Sequence, residues 1–321
     1  MARILVIGGA HVDRTGRLEA PHRPGASNPG RWEIGVGGGA FNAARNLARL
    51  GHHVTLVAPR GGDAAAAMVE RAAEDAGIED CPITFLDRAT PSYSAILEPD
   101  GNLVTALADM ALYEMVPARR LLTARLRRRL EAAELLLADA NLPESALSAL
   151  ADQAAMRGLP LAAIAVSPAK VVRWKPSLAK LACLAMNAAE ATTISGVPAA
   201  TPADWPAILG RAGLAGGLVS AGGGPVAGFA GGTAAVLVPP PLERIADVTG
   251  AGDALVSGYL DGWLGGGELA ANLTRGIALA RLTAEVDGPV RSDLSPDLLA
   301  SALAAMPKPA PIANSEPRRP A

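Results

Sequence analysis

Short β-rich apolar runs alternate with helical patterns along the chain, and this alternation restricts the fold more than any other feature. Ile4 to Ile7 runs into Gly8-Gly9, and comparable runs recur at Val54 to Ala58, Leu135 to Ala138, Leu159 to Ile164, Leu181 to Ala185 and Gly217 to Ser220. Strands separated by helices build a parallel sheet with helices on both faces. The expected fold is α/β and doubly wound, with a mostly parallel sheet. A chain of 321 residues, 50% of them hydrophobic, can bury that core in one large domain carrying an accessory element. Gly8-Gly9-Ala10-His11-Val12-Asp13 is not a dinucleotide fingerprint, because Asp13 stands in the place of the last glycine and no helix follows.

Charge and cysteine content exclude several function classes. The net charge is −2, so no basic surplus argues for a nucleic-acid partner, and Arg127-Arg128-Arg129 reads as a solvated helix face. Cys81 and Cys183 lie far apart without metal-ligand spacing and read as buried free thiols of a reducing compartment. Met1-Ala2-Arg3 meets the first strand directly, too short for a signal-peptide core, and no apolar stretch approaches a membrane span. A cytoplasmic protein without membrane partners is expected.

Two segments break the alternation. Thr15 to Val36 is rich in Pro and Gly and too long for an ordinary loop in a compact domain. Pro91 to Leu97, the turn Glu98-Pro99-Asp100-Gly101-Asn102 and Leu103 to Leu107 read as a hairpin. Together they predict a small β lid, from segments at about 13–36 and 91–110, on a domain spanning 1–306. The Pro-rich remainder, 307–321, lacks periodicity and is expected to be disordered.

Four local patterns carry chemistry. In Asp247-Val248-Thr249-Gly250-Ala251-Gly252-Asp253 before the apolar run Ala254 to Leu260, Thr249 can cap a helix and the glycines allow a tight turn. The first free amides of that helix would face an anion such as phosphate, and Asp253 at its mouth could take the proton of an attacking hydroxyl. A glycine turn with an acidic helix cap accounts for the same residues. Gly37-Gly38-Gly39-Ala40-Phe41-Asn42 opens a helix over Ala43 to Leu50, stopped by Gly51. Asn187-Ala188-Ala189-Glu190 starts another helix with the flavour of a capping box. Asp13, beyond the first strand, stands where open α/β sheets bind ligands, although an Asx-turn would also use it.

The Asp247 to Asp253 phrase resembles the signature of the ribokinase-like (PfkB) carbohydrate kinases. That resemblance implies Asp253 as catalytic base and the amides of Gly250, Ala251, Gly252 and Asp253 as an anion hole. Gly38 and Asn42 match the spacing of the family's sugar contacts, so with Asp13 they are the expected acceptor-binding set. Asn187 and Glu190 match the family's Asn-x-x-Glu, which orders magnesium and its water shell around the ATP phosphates. Val219-Ser220-Ala221-Gly222 resembles the nucleotide-binding strand and turn, departing at Ser220 and Ala221 and agreeing at Gly222; Ser220, Gly222 and Thr249 join the expected nucleotide contacts. Gly62-Asp63 also resembles a family pattern, with Ala66 in place of a glycine, and reads as structural. The closer likeness is to the pseudouridine-kinase branch, through Ser27 to Arg31, Asn46 to Gly51, Tyr93 to Leu97 with Pro99-Asp100-Gly101, and Ala108-Asp109-Met110, with Phe41 where that branch usually has Arg. The resemblance covers about residues 3–305. It implies ATP and Mg2+ as cofactors, a monovalent cation such as K+ as a further candidate, transfer to the 5′-hydroxyl of pseudouridine, and a homodimer formed through the lid. A kinase for another nucleoside, pentose or hexose, and a binding protein without turnover, are the alternatives.

Overall fold

The computed structural model describes residues 1–306 and 310–311. Apart from Ala310–Pro311, the tail expected to be disordered lies outside the described residues. Strands β1 (Arg3–Ile7), β4 (His53–Val57), β6 (Glu79–Asp80), β10 (Leu135–Asp139), β11 (Leu161–Ile164), β12 (Cys183–Asn187) and β13 (Gly216–Ser220) form the parallel part of the main sheet. β14 (Val226–Ala230), β15 (Thr233–Val238) and β16 (Ala310–Pro311) extend it antiparallel, giving the order β16-β15-β14-β13-β12-β11-β10-β1-β4-β6. The expected alternation is therefore present, strand by strand.

The central strands are apolar throughout because helices cover both of their faces. Leu5 and Ile7 of β1 point into one core with α4 (Ala124–Ala132), α5 (Glu144–Arg157), α7 (Ala188–Ser195) and α8 (Trp205–Arg211). Ile4 and Val6 point the other way, against α1 (Gly39–Arg49), α2 (Ala64–Asp75), α9 (Ala251–Leu264) and α10 (Leu269–Ala284). The short α3 (Ala111–Glu114) and α6 (Pro168–Val171) sit in connections, and α11 (Pro296–Ala305) packs on α10. Both cysteines are free and buried, and burial pushes the Cys183 thiol up to about 12. Among the described residues no helix is long and apolar enough to cross a membrane.

The two excursions pair into a separate four-stranded sheet of β3 (Gly30–Gly37), β2 (His11–Leu18), β8 (Ser92–Leu97) and β9 (Leu103–Asp109), in that order. Its central pair, β2 and β8, is parallel, so the two excursions zip together along Val12↔Ser92 to Arg17↔Leu97. β5 (Pro59–Arg60) and β7 (Ile83–Thr84) form a two-stranded patch beside it. Asp13 thus lies within a strand of this second sheet rather than in a turn after β1.

One helix boundary differs from expectation. α1 begins at Gly39, not at Ala43, so Asn42 occupies its first turn and donates its amide to the Gly38 carbonyl at 2.8 Å. Gly38 is the N-cap at φ 113°, and a Cβ there would meet the Gly9 carbonyl oxygen at 2.4 Å, so only glycine lets the chain turn this early.

Candidate active site

The carboxyl ends of β1, β10, β11, β12 and β13 converge with the amino ends of α1, α7 and α9, the edge at which α/β sheets bind ligands. Asp139, the last residue of β10, is fully buried and organises this edge. Its carboxylate accepts from the amides of Gly9 and Ala40 at 3.0 Å each, from the Asn141 amide at 3.0 Å and from Asn141 Nδ2 at 2.8 Å. The turn after β1 and the start of α1 are thereby fixed to the same side chain. A strand read as ending at Ala138 misses it, since one acid after an apolar run carries no pattern.

Asp253 lies in the first turn of α9, where Gly250 is the N-cap at φ 76°. A Cβ on Gly250 would reach within 2.1 Å of the Pro289 carbonyl oxygen, whereas the space beside Gly252 is open. Thr249, expected as a cap, makes no capping bond: it is exposed, and its amide donates to Asp247 Oδ1 at 2.8 Å. The left-handed turn at Gly250 takes over the cap. Of the expected anion-hole amides, Ala251 donates back to the Val248 carbonyl at 3.2 Å, while among the described residues no backbone carbonyl outside the helix accepts from Gly252 or Asp253. The amides of Gly250, Gly252 and Asp253 are thus, among the described residues, the donors without a protein acceptor at this helix start.

Asn42 Nδ2 donates to Asp253 Oδ2 at 2.8 Å, which joins the acceptor residue to the expected base. Burial dominates the Asp253 environment and pushes its carboxyl up to about 7; the Asn42 bond and Arg45 pull it down, while Asp139 and Glu190 push it further up. A carboxyl poised there can accept a proton near neutral pH.

Asp13 is oriented by residues that sequence reasoning left aside. His11 Nε2 lies 3.3 Å from Asp13 Oδ1, and His11 Nδ1 lies 3.0 Å from the Tyr113 hydroxyl. Tyr113 is fully buried, and burial raises its pKa well above the usual value, so its hydroxyl keeps its proton; the ring of His11 is held between this hydroxyl and Asp13. Gly37 packs so tightly against Asp13 that a Cβ would meet Oδ2 at 2.0 Å, which places Asp13 beside the glycine run containing Gly38. Phe41 is wholly in the core, with the Arg45 guanidinium 4.7 Å from its ring centroid.

The expected nucleotide residues sit together on neighbouring strand ends. Asn187 is the register partner of Ser220, and Gly222 follows in a left-handed turn at φ 59°. Asn187 and Glu190 form a complete capping box, with Asn187 Oδ1 accepting the Glu190 amide at 2.9 Å and Glu190 Oε2 the Asn187 amide at 2.7 Å. One Glu190 oxygen remains outside that box, on a side chain whose carboxyl burial pushes upward. Asp63, read as structural, caps α2 through the Ala66 amide and also accepts from Thr90. Val166, just beyond β11, holds φ 68° with the Ser167 amide bonded to the Ala165 carbonyl at 2.8 Å, a strained turn for a β-branched residue at the edge of the site.

A cavity of about 950 Å³ lies at the opposite, amino ends of the strands, where His52, Asp261 and Arg275 satisfy one another. The chemistry-bearing residues are elsewhere.

The Asp253 carboxylate, bonded to Asn42 in the first turn of α9 on a doubly wound α/β sheet, is an arrangement suited to proton transfer beside an anion, and the comparisons agree with a kinase. The pfkB family carbohydrate kinase pattern matches residues 1–295. The chain belongs to that family, whose members transfer a phosphoryl group to a hydroxyl. A carbohydrate kinase from Agrobacterium tumefaciens is 49% identical, with a TM-score of 0.89 over 97% of this chain and 100% of its own. The pseudouridine kinase of Escherichia coli (strain K12) is 29% identical over 273 residues, 82% of this chain and 84% of the relative. Arabidopsis thaliana ribokinase, solved with ribose and ATP, shares the fold at 19% identity with a TM-score of 0.82 over 94% of this chain and 98% of its own.

Proposed function

We propose that this sugar or nucleoside kinase transfers the γ-phosphoryl of ATP to the 5′-hydroxyl of pseudouridine. The observation that carries the reading is the half-buried Asp253 carboxylate, bonded to Asn42 at the amino end of α9. Likeness to the Escherichia coli pseudouridine kinase favours the acceptor. In the proposed reaction Asp253 Oδ1 receives the proton of the acceptor hydroxyl as that oxygen attacks phosphorus. The Gly252 and Asp253 amides bear on the phosphoryl oxygens, where charge builds in the transition state. Asp13 and Asn42 hold secondary hydroxyls, and the lid keeps water from the phosphodonor.

Ser220, Gly222 and Thr249 line the nucleotide side. Asn187 has its one side-chain oxygen in the capping box and Glu190 keeps one outside it, and among the described residues no group of three His, Cys, Asp or Glu could hold a metal, so the pair fits Mg2+ held through water. Mg2+, when bound with ATP, would neutralise phosphate charge. A monovalent cation such as K+ is part of the same proposal, checked by replacing K+ with a large organic cation. Dimerisation through the lid is favoured by one face of its sheet, where Ile34 and Leu107 flank Arg14 and Ser94 in register and exposed Trp32 lies opposite Gly16; light scattering on Trp32→Ser tests it. Two free, buried thiols suit a cytoplasmic location.

The deciding experiment is a coupled ADP-release assay over pseudouridine, other nucleosides, ribose and hexoses. Preferred turnover of pseudouridine supports the proposal. Preference for a free sugar replaces it with the sugar-kinase alternative, and affinity without turnover with the binding-protein alternative.

A further inference from the structure

Arg45 lies within helix α1 of the core, yet its guanidinium reaches three parts of the site at once. Nη2 donates to Asn42 Oδ1 at 2.6 Å and to the Val36 carbonyl of lid strand β3 at 2.9 Å, while the group stacks over the Phe41 ring. Its Nε is buried without a hydrogen-bond partner. Retaining a guanidinium in that surrounding carries a desolvation cost, so its remaining contacts have to matter.

The chemistry of the two side chains makes the arrangement directional. A guanidinium only donates, so the Asn42 carboxamide must turn its oxygen towards Arg45 and its NH2 towards Asp253. The NH2 then donates to Asp253 Oδ2 at 2.8 Å, and Oδ1 is left on the side facing Gly39 and the acceptor space. We propose that Arg45 is a positioning residue for phosphoryl transfer: it locks the orientation of Asn42, and through it the carboxylate of Asp253, to the base of the lid strand β3. This rests on Asp253 being the base.

The groups facing Asp253 are Asn42 and Arg45 from α1, Asp139 from β10 and Glu190 from α7. Without Arg45, the positive charge disappears and Asn42 is free to present its oxygen to Asp253; both changes favour the protonated acid. The burial that lowers the Arg45 pKa to about 10, helped by Arg49, still leaves it charged at neutral pH.

The test compares wild type, Arg45→Met and Arg45→Lys. For Arg45→Met the acid limb of the kcat/KM profile is expected to move to higher pH and kcat to fall by about tenfold, as expected for a mispositioned base, with KM for ATP unchanged. Arg45→Lys restores the charge and returns the limb towards wild type. A packing role alone would leave the limb in place, and that result overturns the proposal. Carbon NMR titration of the Asp253 carboxyl, assigned with Asp253→Asn and run without any acceptor, separates this from the kinase reading. A higher Asp253 titration point in Arg45→Met supports the positioning role even if no acceptor turns over, and an unmoved one removes it even if wild type is an active kinase. Should Arg45→Met not fold, the same titration of Arg45→Gln decides between these two outcomes.

Discussion

Replacing the base should make the protein more stable as well as inactive, and the size of the gain follows from its burial. The Asp253 carboxyl lies at about 7 in the folded chain against an ordinary 3.8, chiefly through desolvation. Over that interval the folded state binds the proton more tightly than the unfolded chain, so stability falls as pH rises from about 4 to about 7 and stays low above that. At 1.36 kcal/mol per pH unit the interval corresponds to at most about 4 kcal/mol. Asp253→Asn keeps the shape and loses the charge, so urea denaturation at pH 8 should show the variant more stable by up to about 4 kcal/mol, with the two proteins converging near pH 4. Turnover should meanwhile fall by roughly 10²–10⁴-fold, the usual worth of a general base. A stability difference independent of pH would refute the account of a desolvated, destabilising carboxylate. Near-normal turnover would remove Asp253 from its role.

Three further outcomes are expected. Glu190→Gln keeps an oxygen for the capping box but loses the charge, so the Mg2+ concentration for half-maximal rate should rise while thermal stability changes little; an unchanged Mg2+ curve leaves only the cap. The 2′-deoxy and 3′-deoxy analogues of pseudouridine should react poorly, because each missing hydroxyl removes a hydrogen bond to Asp13 or Asn42 worth about 0.5–3 kcal/mol, and Asp13→Ala should narrow that difference. Val166→Gly should relieve backbone strain at φ 68° and stabilise folding by about 1–3 kcal/mol in denaturant melts, less the added chain entropy of glycine; a destabilised variant would show that the turn is not strained.

The parts of the fold that were legible are those in which local pattern and burial agree. β1 and β10 are apolar at successive positions because both faces are covered, so their runs stand out in the sequence. The second sheet could be inferred as two excursions, but nothing local encodes the parallel pairing of β2 with β8, which depends on residues from Val12 and Ser92 meeting across the chain. Thr249 looks like a cap by residue type, yet the positive φ open to Gly250 settles the helix start one residue later. Asn42, Gly38 and Asp253 were legible as motif positions and do converge. Asp139, His11, Tyr113 and Arg45 were not, since each acts through one long-range contact and leaves no periodicity behind.

The central claim is that a primary hydroxyl of a nucleoside is phosphorylated at this site. Phosphorus and proton NMR of the product formed from ATP and pseudouridine tests it most directly. The account predicts one new phosphomonoester resonance coupled to the 5′-methylene protons, absent with Asp253→Asn. Release of inorganic phosphate alone, or an ester formed with ribose or a hexose but not with pseudouridine, would contradict it.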